Sequence, residues 1–316
     1  MSYLSRLGIS DIYSSPALAS RASSPHGYDI CDHSRLDEEL GAEADFDEFV
    51  KELSRHDMGL ILDFVPNHMA ADPRANRWWR DVLANGRRSR FAGFFDIDWS
   101  PVKPELRGKV LLPVLGDLYG VALERGEIQL ARQEGGLVVR YFDQFFPIEP
   151  LSAESIVGHG REAARVEETL RAYNGRPGEP RSFDRLHELL ERQAYRLAYW
   201  KAAFHEINYR RFFDINDLVG LRIEDPTVFA ATHALVLRWI REGKVAGLRL
   251  DHIDGLFDPR GYLEKLRDAA GPIYLVAEKI LSAGESLPRS WPIHGTTGYD
   301  FLNDVNGLFV DPRGGR

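Results

Sequence analysis

Short apolar runs alternate with amphipathic helical stretches over much of this chain, the pattern of βα units and a parallel sheet. A strand-like run at residues 10–14 follows a helix end stopped by Gly8. Phe46, Phe49, Val50 and Leu53 then fall at helical spacing, with Asp45 as the expected N-cap, Glu48 three residues on and Gly59 as the stop. A buried-strand run at 60–65 follows. The rhythm returns at Asp225-Pro226, a cap with proline at the first helical position. Its stripe runs through Val228, Phe229, Leu235, Val236 and Trp239 to Gly243, and the strand 245–250 comes next. Asp258-Pro259 opens another helix, with Tyr262, Leu263 and Leu266 inward and Gly271 as stop, ahead of the strand 273–277. Residues 298–302 are a candidate start of a further strand. About four βα units are clear, and a closed (β/α)8 barrel needs eight. Periodicity alone leaves two architectures open: a doubly wound open sheet, or a barrel lacking units at its ends.

Residues 70–215 break the rhythm. They are rich in aromatics, among them Trp78, Trp79, Phe94, Phe95, Trp99, Phe145 and Phe146. Residues 152–181 are polar with several Gly and Pro and are expected to form an exposed loop, after which Ser182 would cap a helix through Leu186, Leu189 and Leu190. The stretch is expected to be a lobe inserted after the 60–65 strand. Three parts follow: N-terminal βα units over 1–69, the aromatic-rich lobe over 70–215, and central βα units over 216–316.

Composition narrows the partners. The 316 residues carry a formal net charge of −8. A polyanion partner needs a concentrated basic face, so nucleic acid is not expected. A neutral substrate, held by hydrogen bonds and stacking, suits the balance better. Cys31 is the only cysteine, so no intrachain disulfide can form, which fits a reducing compartment. No apolar run approaches membrane-spanning length and no leader-like segment opens the chain. A cytoplasmic protein is expected, and nothing in the sequence sets its oligomeric state.

Ligands of parallel α/β folds sit at the carboxyl ends of the strands. There the chain places His26 and Tyr28, Asp63 with Asn67 and His68, Arg249 with Asp251, His252 and Asp254, and Glu278 with Lys279. Each alone has a plain structural reading. Asp63 could be a buried acceptor, Asn67 and His68 a cap, Arg249 and Asp251 an ion pair, Glu278 and Lys279 strand-end surface. Their joint placement on successive strands points to one rim, because gathering charge there without partners is costly. Arg249 and Asp251 are two apart, so on a strand they share a side. Carboxylates from neighbouring strand ends, about 5–5.5 Å apart, make the retaining-glycosidase pair. Glu278 is expected to have the higher pKa of the two, since the acid must start protonated.

Asp63-Phe64-Val65-Pro66-Asn67-His68, Gly247-Leu248-Arg249-Leu250-Asp251-His252 and the Glu278 strand end resemble three short motifs of the α-amylase superfamily, glycoside hydrolase family 13. Ser24-Pro25-His26-Gly27-Tyr28-Asp29, Arg249 through Leu256, Ala277-Glu278-Lys279-Ile280-Leu281 and Gly295 through Phe301 are similar to its maltooligosyl-trehalose synthase family. Phe94-Phe95-Asp96-Ile97-Asp98-Trp99 and Glu206 through Phe213 add to the likeness. The resemblance implies an α/β fold, a partial (β/α)8 barrel with its first and last strands missing and a large inserted lobe. It implies an isomerase that turns the reducing-end α-1,4 bond of a maltooligosaccharide into an α,α-1,1 bond, in trehalose biosynthesis.

Carried over residue by residue, Asp251 would be the nucleophile and Glu278 the general acid/base. Arg249 would orient Asp251, His68 would bond sugar hydroxyls, Tyr28 would stack on the sugar and Asp63 would brace the site. His26 and Asn67 would line it, and His252 and Lys279 would stand on the acceptor side. No cofactor and no metal is implied. The family's third essential carboxylate has no candidate here, so the chain alone is expected to be inactive. The alternatives are an α-amylase-type hydrolase or transglucosidase, a glucan-binding piece without catalysis, and a barrel enzyme using Asp251 and Glu278 as metal ligands.

Overall fold

The computed structural model describes residues 1–133, 136–157 and 163–315. They form two compact units, one built from Met1–His68 and Leu221–Arg316, the other from Met69–Gly220.

The first unit holds a five-stranded, wholly parallel sheet: β1 (Asp11–Ser14), β2 (Gly59–Phe64), β3 (Gly247–Leu250), β4 (Tyr274–Ala277) and β5 (Gly295–Thr296). Spatial order equals chain order. Helix α1 (Glu43–Ser54) lies between β1 and β2, α2 (Pro226–Arg241) precedes β3, α3 (Pro259–Ala270) joins β3 to β4, and α4 (Tyr299–Gly307) follows β5. Parallel neighbours need such crossovers. Leu60, Leu62 and Phe64 of β2, Leu248 and Leu250 of β3, and Leu275 and Ala277 of β4 are buried. The alternate positions, Ile61 and Asp63, Arg249, and Val276, occupy the other sheet face. The helices are tied together by rings. Phe46 of α1 meets Trp239 of α2 at 4.6 Å between centroids, and His233 Nε2 of α2 lies 2.9 Å from the Tyr262 hydroxyl of α3.

Local chemistry accounts for these helix starts. Asp225 accepts from the N–H groups of Thr227 and Val228, and Asp258 from that of Gly261, each just before a proline. Asp45 is not the cap of α1. The helix starts earlier, and Asp45 sits three residues past Ala42, whose N–H it accepts at 2.8 Å. Gly59 is not a helix stop either. It opens β2, where a Cβ would lie 2.3 Å from Asp11 Oδ1. The stretch 298–302 starts a helix rather than a strand, with Gly298 as the cap and 299–302 helical. Gly298 adopts φ +93°, and Thr296 Oγ1 donates to Asp300 Oδ1 in the first turn of α4 at 2.8 Å.

In the second unit, Ile128–Gln133, Gly136–Tyr141 and Gln144–Pro147 form an antiparallel meander, and Val110–Leu115 pairs in parallel with Tyr195–Tyr199. Aromatic side chains make its core. Trp79, fully buried, meets Phe95 at 5.1 Å and Tyr209 at 5.6 Å. The loop expected at 152–181 is largely helical, as Pro150–Val157 and Ala163–Tyr173. Val166 and Leu170, four apart, are both buried and give the second helix its inner stripe. Residues 158–162 lie outside the described residues. Ser182 does not cap the next helix. It belongs to a 3₁₀ turn, Pro180–Phe183, and its hydroxyl donates to the Glu179 carbonyl at 2.6 Å. Among the described residues no helix is long and apolar enough to cross a membrane.

Candidate active site

Strand register places the charged residues. Arg249 on β3 pairs with Asp63 on β2 and with Val276 on β4. Asp251 and Glu278 each stand just past a strand end. Their own N–H groups continue the ladder, Asp251 to the Phe64 carbonyl at 2.9 Å and Glu278 to the Leu250 carbonyl at 2.8 Å. The Arg249 guanidinium is the hub. Nη1 donates to both Asp63 oxygens, at 2.9 and 3.0 Å, and to Asp251 Oδ1 at 2.7 Å. Nη2 lies 3.0 Å from Glu278 Oε1. The second Glu278 oxygen accepts the main-chain N–H of His252 at 3.0 Å. Asp63 Oδ2 also accepts the hydroxyls of Tyr13 and Tyr28, each at 2.6 Å. The Arg249 guanidinium lies 5.8 Å from the centroid of the Tyr28 ring.

Three carboxylates thus converge on one guanidinium, and Asp63, Arg249 and Asp251 are all buried. Burial works against the Arg249 charge, but Asp63, Asp251 and Glu278 hold it firmly protonated. Burial first, and then the Asp63 charge and hydrogen bond, push the Tyr13 hydroxyl up to about 12 and Tyr28 higher still, so both remain donors. Burial, followed by the Glu278 charge, pushes Asp251 up to about 7 against the pull of Arg249. The sequence reading placed the raised pKa on Glu278. The structure raises Asp251, because it lies deeper than an alternation pattern can reveal. On the same sheet face a cavity of about 400 Å³ is bounded by Tyr13, Ile61, Arg249, Val276, Thr296 and Tyr299.

Comparison with known proteins fits this frame. The α-amylase catalytic-domain family matches residues 1–114. A putative maltooligosyl trehalose synthase of Mycobacterium tuberculosis (strain H37Rv) is 40% identical across 99% of this chain. The solved maltooligosyltrehalose synthase of Arthrobacter ramosus superposes with a TM-score of 0.82, at 40% identity over 100% of this chain. The chain is thus similar to maltooligosyl trehalose synthases along its whole length, and to the α-amylase catalytic domain over residues 1–114. A hypothetical maltooligosyl trehalose synthase of Sulfolobus tokodaii is similar at 34% identity over 98% of the chain, with a TM-score of 0.78. The chain spans 36% of the length of the mycobacterial relative and 36% of the Arthrobacter structure. Its fold is α/β and TIM-barrel-like, as in these solved relatives.

Within the chain, Asp63, Arg249, Asp251, Glu278, Tyr28 and the His252 backbone come together directly. Asn67 and His68 are buried after β2, with Asn67 Nδ2 donating to His68 Nδ1 at 3.3 Å. Lys279 bridges outward, 2.9 Å from Glu285 and 3.6 Å from Asp254. His26 stands apart. Its side chain is about half exposed, and Nδ1 accepts the Tyr28 N–H at 3.1 Å. Sequence reasoning missed Tyr13. The signal was its place at the end of β1, with its side chain on the sheet face shared by Ile61 and Asp63, but a lone strand tyrosine reads as ordinary packing.

Proposed function

We propose that this chain carries the nucleophile and the general acid/base of a maltooligosyl-trehalose synthase. The reaction converts the reducing-end α-1,4 bond of a maltooligosaccharide to an α,α-1,1 bond by a retaining double displacement. The observation that carries the reading is the bridging of Asp251 and Glu278 by the two Nη atoms of Arg249. A pair bridged in this way is close-set, and close-set carboxyls, about 5–5.5 Å apart, go with retention, whereas roughly 6.5–9.5 Å leaves room for an inverting water. Three carboxylates against one guanidinium leave buried negative charge in excess, which favours the oxocarbenium-like transition state of glycosyl transfer.

In this reading one proton is shared across the Asp251 and Glu278 pair, and turnover needs it on Glu278. Glu278 gives it to the glycosidic oxygen while Asp251 attacks the anomeric carbon, forming a glucan ester and freeing glucose. The glucose turns over, Glu278 takes the proton of its anomeric hydroxyl, and that oxygen displaces Asp251. Tyr28 and His68 would hold the sugar at the ester side, with His26 and Asn67 lining the site. His252 and Lys279 would face the acceptor, and Asp63 would brace Arg249. We also read the five-stranded sheet as an arc of a (β/α)8 barrel formed by residues 1–69 and 216–316, with 70–215 inserted in the chain as a lobe. We place the protein in the cytoplasm, where the single buried Cys31 would stay reduced.

Product analysis tests the reading. Incubation of the intact gene product with maltopentaose should give a non-reducing saccharide of the same length, with loss of reducing ends. Asp251→Asn and Glu278→Gln should each abolish it. Release of maltose and glucose instead would assign a hydrolase.

A further inference from the structure

The chain turns sharply as it leaves β3. His252 lies in the left-handed region, φ 48° and ψ 47°, which is unfavourable for a residue with a side chain. Its carbonyl accepts the Gly255 N–H at 3.1 Å, closing a turn through Ile253 and Asp254. Ile253 is fully buried and Asp254 lies 3.6 Å from Lys279, so the turn is anchored on both sides. A strained backbone of this kind persists only where its surroundings over-determine it. Gly255 closes the turn for a steric reason. A Cβ there would lie 2.3 Å from His252 Cδ2 and 3.1 Å from Asn67 Oδ1. The imidazole therefore lies across the bare Cα of residue 255. The turn delivers one donor to the site, the His252 N–H on Glu278 Oε2 at 3.0 Å, while Arg249 holds Oε1. Gripped at both oxygens, the carboxyl has a single orientation. Released at Oε2, it pivots on the Arg249 contact.

Building on the assignment of Glu278 as acid/base, we infer that Gly255 is a positioning residue for that carboxyl. Its missing side chain makes room for the His252 ring, and the ring's seat holds the left-handed backbone that aims the residue-252 N–H at Glu278.

The residue-252 amide proton reads the bond directly in the ¹⁵N-labelled chain, and Glu278→Ala defines its shift once the acceptor is gone. Gly255→Ala should move the amide to that unbonded position. Adding His252→Gly removes the colliding ring, keeps the N–H and suits left-handed backbone, so the double variant should return it to the parental position. In the intact gene product, Gly255→Ala should lower kcat on maltopentaose about 100-fold, the cost of misplacement by roughly an ångström, with KM little changed. An unmoved amide in folded Gly255→Ala, or a double variant that fails to restore the shift, overturns the inference. If Gly255→Ala does not fold, His252→Val and His252→Gly put the same question. Valine resists left-handed backbone and should lose the shift, glycine should keep it, and equal shifts refute the inference. A parent without turnover would sink the functional reading, while the amide shift would still decide the role of Gly255.

Discussion

Asp251 sits where its charge is least welcome, buried and facing Glu278, with one guanidinium shared among three acids. Its folded pKa, about 7, is above the unfolded value near 3.9. The folded state therefore binds the extra proton between those limits. The associated stability is present below about pH 4 and is lost as pH rises through about 7. Asp251→Asn removes this penalty, so at pH 8 the variant should be more stable than the parent by on the order of 1 kcal/mol, while losing turnover. The gain should vanish by pH 4. Denaturation at the two pH values measures it, and equal differences at both would contradict the assigned cause. Much of this cluster was open to reading from sequence. Asp63, Arg249, Asp251 and Glu278 announce themselves as ionisable residues at successive strand ends, two of them at period-2 spacing. The depth of Asp251 and the Tyr13 bond to Asp63 were closed to it, because both depend on how far neighbouring chain covers a side chain.

Elements were readable where a short segment contains its own instructions. Asp225-Pro226 and Asp258-Pro259 fix two helix starts with a side-chain acceptor and a preset φ, and the structure has both. Asp225→Ala should cost about 1 kcal/mol, the usual loss for an N-cap carboxylate, seen as a lower midpoint in urea. An unchanged midpoint would show that packing of Val228, Phe229, Val236 and Trp239 alone sets that end. Asp45 was misread because an acid at the third helical position and one at the cap leave the same local pattern. Ala163–Tyr173 was misread because only Val166 and Leu170 of its described side chains are buried. Beyond three alanines and the final Tyr173, these two are the only apolar side chains in the eleven residues, too few for a periodicity to register. Residues 298–302 were misread because an aromatic next to a glycine suits a strand or a helix start, and the Asp300 bond to Thr296 settles which.

Across the molecule, acid behaviour should be governed by two interior imidazoles. Burial lowers His33 to about 4 and His233 to about 3, against backbone carbonyls that favour the proton. The unfolded chain takes these protons near pH 6.5. Stability should fall as pH drops from about 6.5 toward 4, since only the unfolded state is charged there. Asp251 opposes that trend with one group against two. A denaturation temperature that stays flat over this interval would rule it out. The N–H groups of Asp251 and Glu278 themselves extend the β2–β3 and β3–β4 ladders past the strand ends. The distance between those two carboxyls is therefore measured out by counting residues along β3 and β4, as on a ruler. Inserting or deleting one residue within either strand would turn an acid toward the helices and blank the site. The same edit in the coil between β4 and β5, past Glu278, would leave the count intact.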